Sequence, residues 1–319
     1  MGLQNMQVFN SFAYSSASET IKEQVALFNG ATRNGITLSS GSNVGDFDFD
    51  TMFKEISGLV TDRNAYGTDT LTPQALEQLK MASVKIAGRT EPVSYTRAQF
   101  DWIDQNAEQA GTAFGEQVAV GMMKYMLDRG ISAFVAATKE QGDLYTDLTS
   151  GKASLASLND GVRKFGDRAG DIACWVMHSN SLFDIYGSAL ANSERLFEFG
   201  NVRVVQDGFG RPLVMTDSSY LTYDDEGTQK YFQCGLSQGG IYIEDNGNYA
   251  VDDDKNVLDE NTTFLLKSEF DFNLGLKGYT WDTASGGKSP NSAAVATGTN
   301  WEKVATDVKS LAGVLVETL

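Results

Sequence analysis

The sequence predicts an α+β fold built as an extended subunit, on three observations. A stretch at about 97–140 keeps apolar residues at three- and four-residue steps for longer than a compact domain needs. Ahead of it, phenylalanines alternate with acids and glycines, the pattern of a hairpin covered on one face only. After it, short apolar runs alternate with helical patterns and end in long alternating segments, which is how mixed sheet and helix reads.

Composition bounds the function classes. Of 319 residues, 41% are hydrophobic and 34 are aromatic (18 Phe, 12 Tyr, 4 Trp), enough for a sizeable core and too many for a disordered chain. With 42 acidic residues against 25 lysines and arginines, the net charge is −17, so the chain on average repels nucleic acid. That disfavours a DNA reader but suits a container that must hold DNA without adhering to it. The opening MGLQNMQVFN lacks the basic and apolar regions of a secretory signal, and no apolar run approaches 18 residues, so neither secretion nor a membrane span is expected.

The elements follow in order. Residues 1–35 form a polar arm with a short helix over Ser18–Phe28, where Ile21, Val25 and Phe28 share a face behind a Ser18 cap. Phe47, Phe49 and Phe53 alternate into a first hairpin strand, 61–80 is its tip, and Leu79–Ala87 alternates back. In the long helix Ala107, Ala110, Phe114, Val118, Met122, Tyr125 and, more loosely, Phe134 continue the stripe begun by Ile103, with Asp101 and Asp104 near the positive end of the helix dipole. An α/β unit over 141–262 follows, with helices at 155–166, 181–191 and 195–199 and strands at 172–177, 202–205, 212–215 and 240–243. Residues 264–282 alternate as a long strand pair or bent strand, 284–299 form a low-complexity loop, and 311–316 close the fold as a strand.

Tests for chemistry give little. Cys174 and Cys234, in apolar company, read as buried inert thiols; two cysteines make neither a disulfide framework nor a four-ligand zinc site. Gly235-Leu236-Ser237-Gln238-Gly239 matches the nucleophile-elbow pattern, but the single histidine, His178, precedes the serine and so breaks the hydrolase order. A glycine-rich turn and a hydrogen-bonded strand-end histidine are the better readings. The acidic runs Asp46/Asp48/Asp50 and Asp252/Asp253/Asp254/Asn256 lack the glycine and glutamate of an EF-hand loop and read as solvated strand faces or turns. No cofactor, metal or catalytic residue is assigned.

Several stretches carry a resemblance. They are Leu71-Thr72-Pro73 near the tip, Ala107–Tyr125, Val176-Met177-His178-Ser179 with Leu182-Phe183, and Arg203-Val204-Val205-Gln206-Asp207 followed by Pro212-Leu213-Val214-Met215. Gly275-Leu276-Lys277-Gly278-Tyr279-Thr280-Trp281, Ser289-Pro290-Asn291 and Asn300-Trp301-Glu302-Lys303-Val304 complete the series. In this order, over about 300 residues, they resemble the major capsid protein of tailed bacteriophages, the Hong-Kong-97-type fold.

The resemblance implies an N-terminal arm (1–35), an extended loop (36–92), a peripheral domain with the spine helix (93–150 and 263–319) and an α/β axial domain (151–262). It implies a structural, non-enzymatic protein of the virion, assembled in the host cytoplasm into pentamers and hexamers of an icosahedral shell around double-stranded DNA. A portal protein and, because arm and spine begin close to Met1, a separate scaffolding protein are the implied partners. The hairpin would lie on a neighbouring subunit through Phe47, Phe49, Phe53, Lys54, Arg63 and Lys80 and tilt on glycine hinges at Gly35, Gly41, Gly45 and Gly88. The arm would be disordered until assembly. Some members cross-link lysine to asparagine; Lys54, Lys80 and Lys85 lie in the loop, nothing marks a partner, and no cross-link is assigned. A soluble hydrolase-like α/β enzyme and a cellular nanocompartment shell are the alternatives.

Overall fold

The computed structural model describes residues 3–43, 45–53, 62–63, 65–68, 70, 72–73, 75–96, 106–186, 194–199, 202–206, 212–256, 258, 260 and 263–319. In chain order its elements are α1 (Leu3–Ala31), β1 (Ile36–Ser40), β2 (Phe47–Phe53), β3 (Gln78–Arg89), β4 (Val93–Thr96), α2 (Ala107–Gln141) and β5 (Tyr145–Asp147). Next come α3 (Leu155–Arg163), β6 (Ile172–Met177), α4 (Ser179–Tyr186), β7 (Glu194–Phe199), β8 (Val202–Gln206), β9 (Pro212–Met215), β10 (Thr222–Asp225) and β11 (Thr228–Ser237). The last are β12 (Ile241–Asp245), β13 (Ala250–Asn256), β14 (Thr263–Leu276), β15 (Tyr279–Trp281), α5 (Ser292–Val295), β16 (Trp301–Lys303) and β17 (Gly313–Thr318).

The long helix α2 has 35 residues and spans about 52 Å. It ends at Gly142, whose left-handed backbone (φ 70°) turns its N–H onto the Thr138 carbonyl. Of the predicted stripe, Ala110, Val118, Met122 and Phe134 are buried, Phe114 and Tyr125 pack partly buried against the core, and Ile103, Asp101 and Asp104 lie outside the described residues. From Arg129 to Thr138 the helix is buried on every face except at half-buried Ala136. A helix apolar all round has to run through a core.

The arm departs from expectation. It is one helix of 29 residues laid along α2, not a short helix on an extended arm. Phe9, Ala13, Ala17 and Phe28 are buried against neighbouring elements, and small residues make the contact close. A Cβ on Gly111 would stand 2.7 Å from the Phe9 carbonyl oxygen, and one on Gly115 would stand 2.5 Å from that of Ala13. Ser16 Oγ donates to the Thr112 carbonyl (3.2 Å) across the same seam. At its other end Asn29 clamps β1, donating to the Leu38 carbonyl (2.7 Å) and accepting from the Leu38 N–H (2.8 Å). The arm therefore has a core of its own in the single chain, which removes the reason for expecting disorder.

Two large sheets flank α2. The seven-stranded sheet runs β1-β12-β14-β3-β2, with β13 and β4 also pairing with β14; the eight-stranded sheet runs β5-β17-β11-β6-β9-β8-β7, with β10 on β11. Strand β14, 14 residues and about 46 Å long, changes partners along its length. Its first half pairs with β13 and β4, and its second half with β12 and β3. The acidic run at 252–254 lies on β13. Residues 195–199, expected as helix, lie instead in β7, antiparallel to β8, with Phe199 paired to Val202. The helix expected at 181–191 is observed as Ser179–Tyr186, and 187–191 lie outside the described residues.

Sheet membership crosses the chain segments. β12 lies in the first sheet beside β14, and β17 lies between β5 and β11 in the second. Glu317 of β17, its side chain 2% exposed, gathers three donors there: Lys139 Nζ of α2 (2.9 Å), Tyr145 Oη (2.5 Å) and Tyr223 Oη. Burial, aided by the carboxylate, pushes the Tyr145 phenol well above its ordinary range, so it stays protonated and donates.

The close seam between α1 and α2 gives a first test. Gly115→Val should destabilise the chain by about 1–3 kcal/mol through overpacking. Hydrogen exchange should localise the loss to 3–31, whereas the same change at Gly121, where nothing lies within 4 Å, should leave that segment protected.

Candidate functional site

The candidate site begins at the β2–β3 hairpin, which carries apolar side chains away from the core. The register pairs Phe47 with Val84, Asp48 with Ser83, Phe49 with Ala82, Asp50 with Met81 and Phe53 with Gln78. On β3, Ala82, Ser83, Val84 and Ile86 are buried, whereas Gln78 and Lys80 are exposed. The hairpin thus leaves the body at about Met81. Phe47 packs half-buried at the rim of the core, with its ring centroid 6.3 Å from that of Phe49. Phe49 is 58% exposed. Farther out, Tyr66 is 96% and Leu76 62% exposed, and Arg63 is exposed. Lys54 and the Phe53 side chain lie outside the described residues.

The hairpin base is anchored by packing and polar contacts. Tyr242 of β12 lies across β14 at Gly275, where a Cβ would collide with its ring, and its hydroxyl is in hydrogen-bond reach of Ser83 on β3. Burial first, then the nearby Asp50 and Asp48 carboxylates, push the Tyr242 phenol up to about 12. On the same sheet the buried Asn273 accepts from Asn43 (3.5 Å) and Asn246 (3.4 Å) and donates to Glu244 (3.4 Å). Lys85 pairs with Asp271 (3.3 Å) and donates to the Asn43 carbonyl (3.5 Å). The hinge reading is therefore corrected at three glycines. A Cβ would strike Cys174 Sγ at Gly35, the Glu244 carboxylate at Gly41 and the Phe270 ring at Gly88, so these glycines permit close approach.

The residues tested for chemistry fall into structural roles. Ser237, 1% exposed at the end of β11, donates to the carbonyls of Leu311 (3.1 Å) and Ala312 (2.9 Å). His178, the strand-end histidine, is held by the Asn180 N–H on Nδ1 (3.1 Å), by Asp217 near Nε2 (3.5 Å) and by the Tyr231 ring (5.4 Å). Serine and histidine are thus engaged with separate partners. Cys174 and Cys234 are free and buried, and burial pushes the Cys174 thiol up to about 12, far from the reactive thiolate range. Sequence reading missed β11, α1's full length, the buried Glu317 and the buried Arg129.

A protruding, ring-bearing hairpin on an anchored base, beside buried polar groups in structural roles, defines a class: a structural protein that presents surface to other chains. The chain matches the Gp13-like family, described as "Major capsid protein 13-like", over residues 5–315, and it belongs to that family. The α+β, Hong-Kong-97-type expectation and the resemblance to phage major capsid proteins agree with this membership. A comparison with curated proteins gave no match. Among solved structures, the capsid of Myoviridae Phage XM1 is similar at 11% identity, covering 76% of this chain and 86% of that chain, with a TM-score of 0.48. The acidic stable capsid of Helicobacter pylori bacteriophage KHP30 shows 9% identity, coverage of 91% and 88%, and a TM-score of 0.47. The Cyanophage Pam1 capsid asymmetric unit shows 12% identity, coverage of 89% and 88%, and a TM-score of 0.45. Likeness at this level does not bear on the conclusion, which rests on the family match.

The anchor has an alkaline signature. An ordinary phenol ionises near 10.0 and Tyr242 at about 12, so between those values the unfolded chain sheds a proton that the folded chain keeps. This group's contribution is intact below pH 10, is lost as pH rises through that window, and amounts to about 2–3 kcal/mol. Urea unfolding at pH 9, 10 and 11 should show the loss, and Tyr242→Phe should flatten the slope by this group's share.

Proposed function

We propose that this major capsid protein self-assembles into pentamers and hexamers of an icosahedral shell that encloses packaged double-stranded DNA. The virion would be its location, and the host cytoplasm its place of assembly. Its part in the shell is structural and involves no catalysis. The observation that carries the reading is the hairpin: in the single chain Phe49, Tyr66 and Leu76 stand in solvent, where an isolated hairpin cannot bury them. A neighbouring subunit supplies that cover, with Phe47, Phe49, Phe53, Lys54, Arg63 and Lys80 in the contact. In this reading residues 1–35 are the arm, 36–92 the extended loop, 93–150 with 263–319 the peripheral domain and 151–262 the axial domain. A separate scaffolding protein and a portal protein complete assembly, and the net charge of −17 keeps DNA from adhering to the wall.

Size-exclusion chromatography and negative-stain imaging test this directly. Wild-type protein should give capsomers or megadalton particles; a small, non-assembling oligomer would overturn the reading. Phe49→Asp should abolish particles while moving the melting temperature of the free chain by less than about 2 °C, since an exposed substitution changes stability by about 0.5 kcal/mol or less.

Charge sets a further expectation. Packing copies of net charge −17 brings like charges together. Screening should promote assembly, because the Debye length falls from about 10 Å at 0.1 M to about 3 Å at 1 M. Light scattering of capsomers from about 50 mM to 1 M salt should rise. A steady fall would show that attractive ion pairs between subunits dominate.

A further inference from the structure

The seven-stranded sheet has two end strands, β1 and β2, and they are finished differently. Among the described residues β2 pairs only with β3, and residues 48–51 are exposed. β1 pairs only with β12, in parallel. On the β12 side the Gly35 carbonyl accepts from the Ile241 N–H (3.3 Å) and the Gly41 N–H donates to the Asp245 carbonyl (2.8 Å). Backbone groups of a parallel strand alternate sides, so Ile36, Leu38 and Ser40 turn theirs outward.

Side chains from the end of α1 meet those outward groups. The Leu38 N–H donates to Asn29 Oδ1 (2.8 Å), and the Leu38 carbonyl accepts from Asn29 Nδ2 (2.7 Å). The Ile36 carbonyl accepts from Thr32 Oγ1 (3.3 Å). The outward groups of Ser40 meet no partner among the described residues. An asparagine amide carries a donor and an acceptor side by side, as the backbone of an adjoining strand does. The turn that brings Asn29 back over the strand is an unfavourable one, with Arg33 (φ 52°) and Asn34 (φ 57°) both left-handed. It is pinned by the Gly239 N–H, which donates to the Asn34 carbonyl (2.7 Å).

An end strand with unpaired N–H and C=O groups is a template for a strand of another chain. In this sheet the natural partner is the other end. β2 projects from the body and carries the exposed Phe49, so it can reach a second copy. Pairing β1 of one copy with β2 of the next joins the sheets head to tail, a contact that repeats without closing and builds a filament.

We propose that Asn29 is an edge guard, which occupies the outward groups of β1 and so denies that edge to the β2 strand of a second copy. The reading goes beyond the shell: it concerns which association is excluded, and free chains suffice to test it.

Asn29→Leu keeps the size of the side chain and offers neither donor nor acceptor. Its self-association, followed by light scattering, should begin at a concentration about tenfold lower than that of the wild type. The product should be filamentous in negative stain. Asn29→Ala should behave alike, which covers the case that leucine does not fit. Adding Ser40→Lys should suppress the association, because a lysine on an end strand blocks pairing. Gly115→Val, which loosens α1 without touching β1, should give no filaments. Asn29 variants that associate only as the wild type does would overturn the proposal. So would association that survives Ser40→Lys, or that Gly115→Val reproduces, since a loosened helix and not an open edge would then be the cause. Failure of the wild type to form particles overturns the shell reading and leaves this comparison of variants intact.

Discussion

Burial of α2 on nearly every side from Arg129 to Thr138 is the constraint from which the architecture follows. A helix with no face left for water needs cover from several directions, and no single sheet supplies it. The seven-stranded sheet covers it through β12 and β14, β16 and β17 pack farther along it, and the turn at 219–221 closes another side. The first half of the helix is covered on its small-residue face by α1, with Leu266 of β14 beside Ala110, and the fit to α1 is set by glycine. The hairpin is then an outgrowth of strands already committed to covering the helix, which is why its base is stiff while its rings point into solvent.

Much of this architecture is legible in the sequence. The hairpin strands, the long helix and β14 follow from periodicity, because each has one face in the core and one outside it for much of its length, whereas β6, β8 and β9 stand out as short apolar runs. Strand β11 escapes that reading: Phe232 to Ser237 are buried on both faces between β6 and β17, so no alternation survives, and Gly235-Leu236-Ser237 looks like a turn. α1 hides for another reason. Its stripe of Phe9, Ala13, Ala17, Ile21, Val25 and Phe28 steps by four residues and finally three, but alanines carry so little hydrophobic signal that only the last three positions stand out. What they pack against, two glycines on α2 a hundred residues away, is not a local property.

The candidate site divides along the same line. Phe49 is recognisable because an aromatic residue among acids on a hairpin needs cover that the hairpin cannot provide. The anchor beneath it is not recognisable, since Asn43, Lys85, Asn246 and Asn273 meet only through tertiary pairing and look like ordinary loop and strand polars. Glycines at 35, 41 and 88 read as hinges in one dimension. In three dimensions each makes room for a neighbouring side chain, and the hairpin has correspondingly less freedom.

The position of β17 has a kinetic consequence. Residues 313–318 fill a place between β5 and β11, yet every other strand of that sheet is drawn from 145–237. During synthesis those earlier strands leave the ribosome with a gap inside their sheet, and the Glu317 carboxylate that ties α2, β5 and β10 together is still untranslated. Closing the gap is a long-range step with a high entropic cost, so it comes late and slowly. Until it happens the nascent chain exposes unpaired strand edges, the kind of surface a holdase-type chaperone binds. Ribosomes stalled before residue 313 would yield chains without this strand and without Glu317, leaving β5 and β11 with no partner between them.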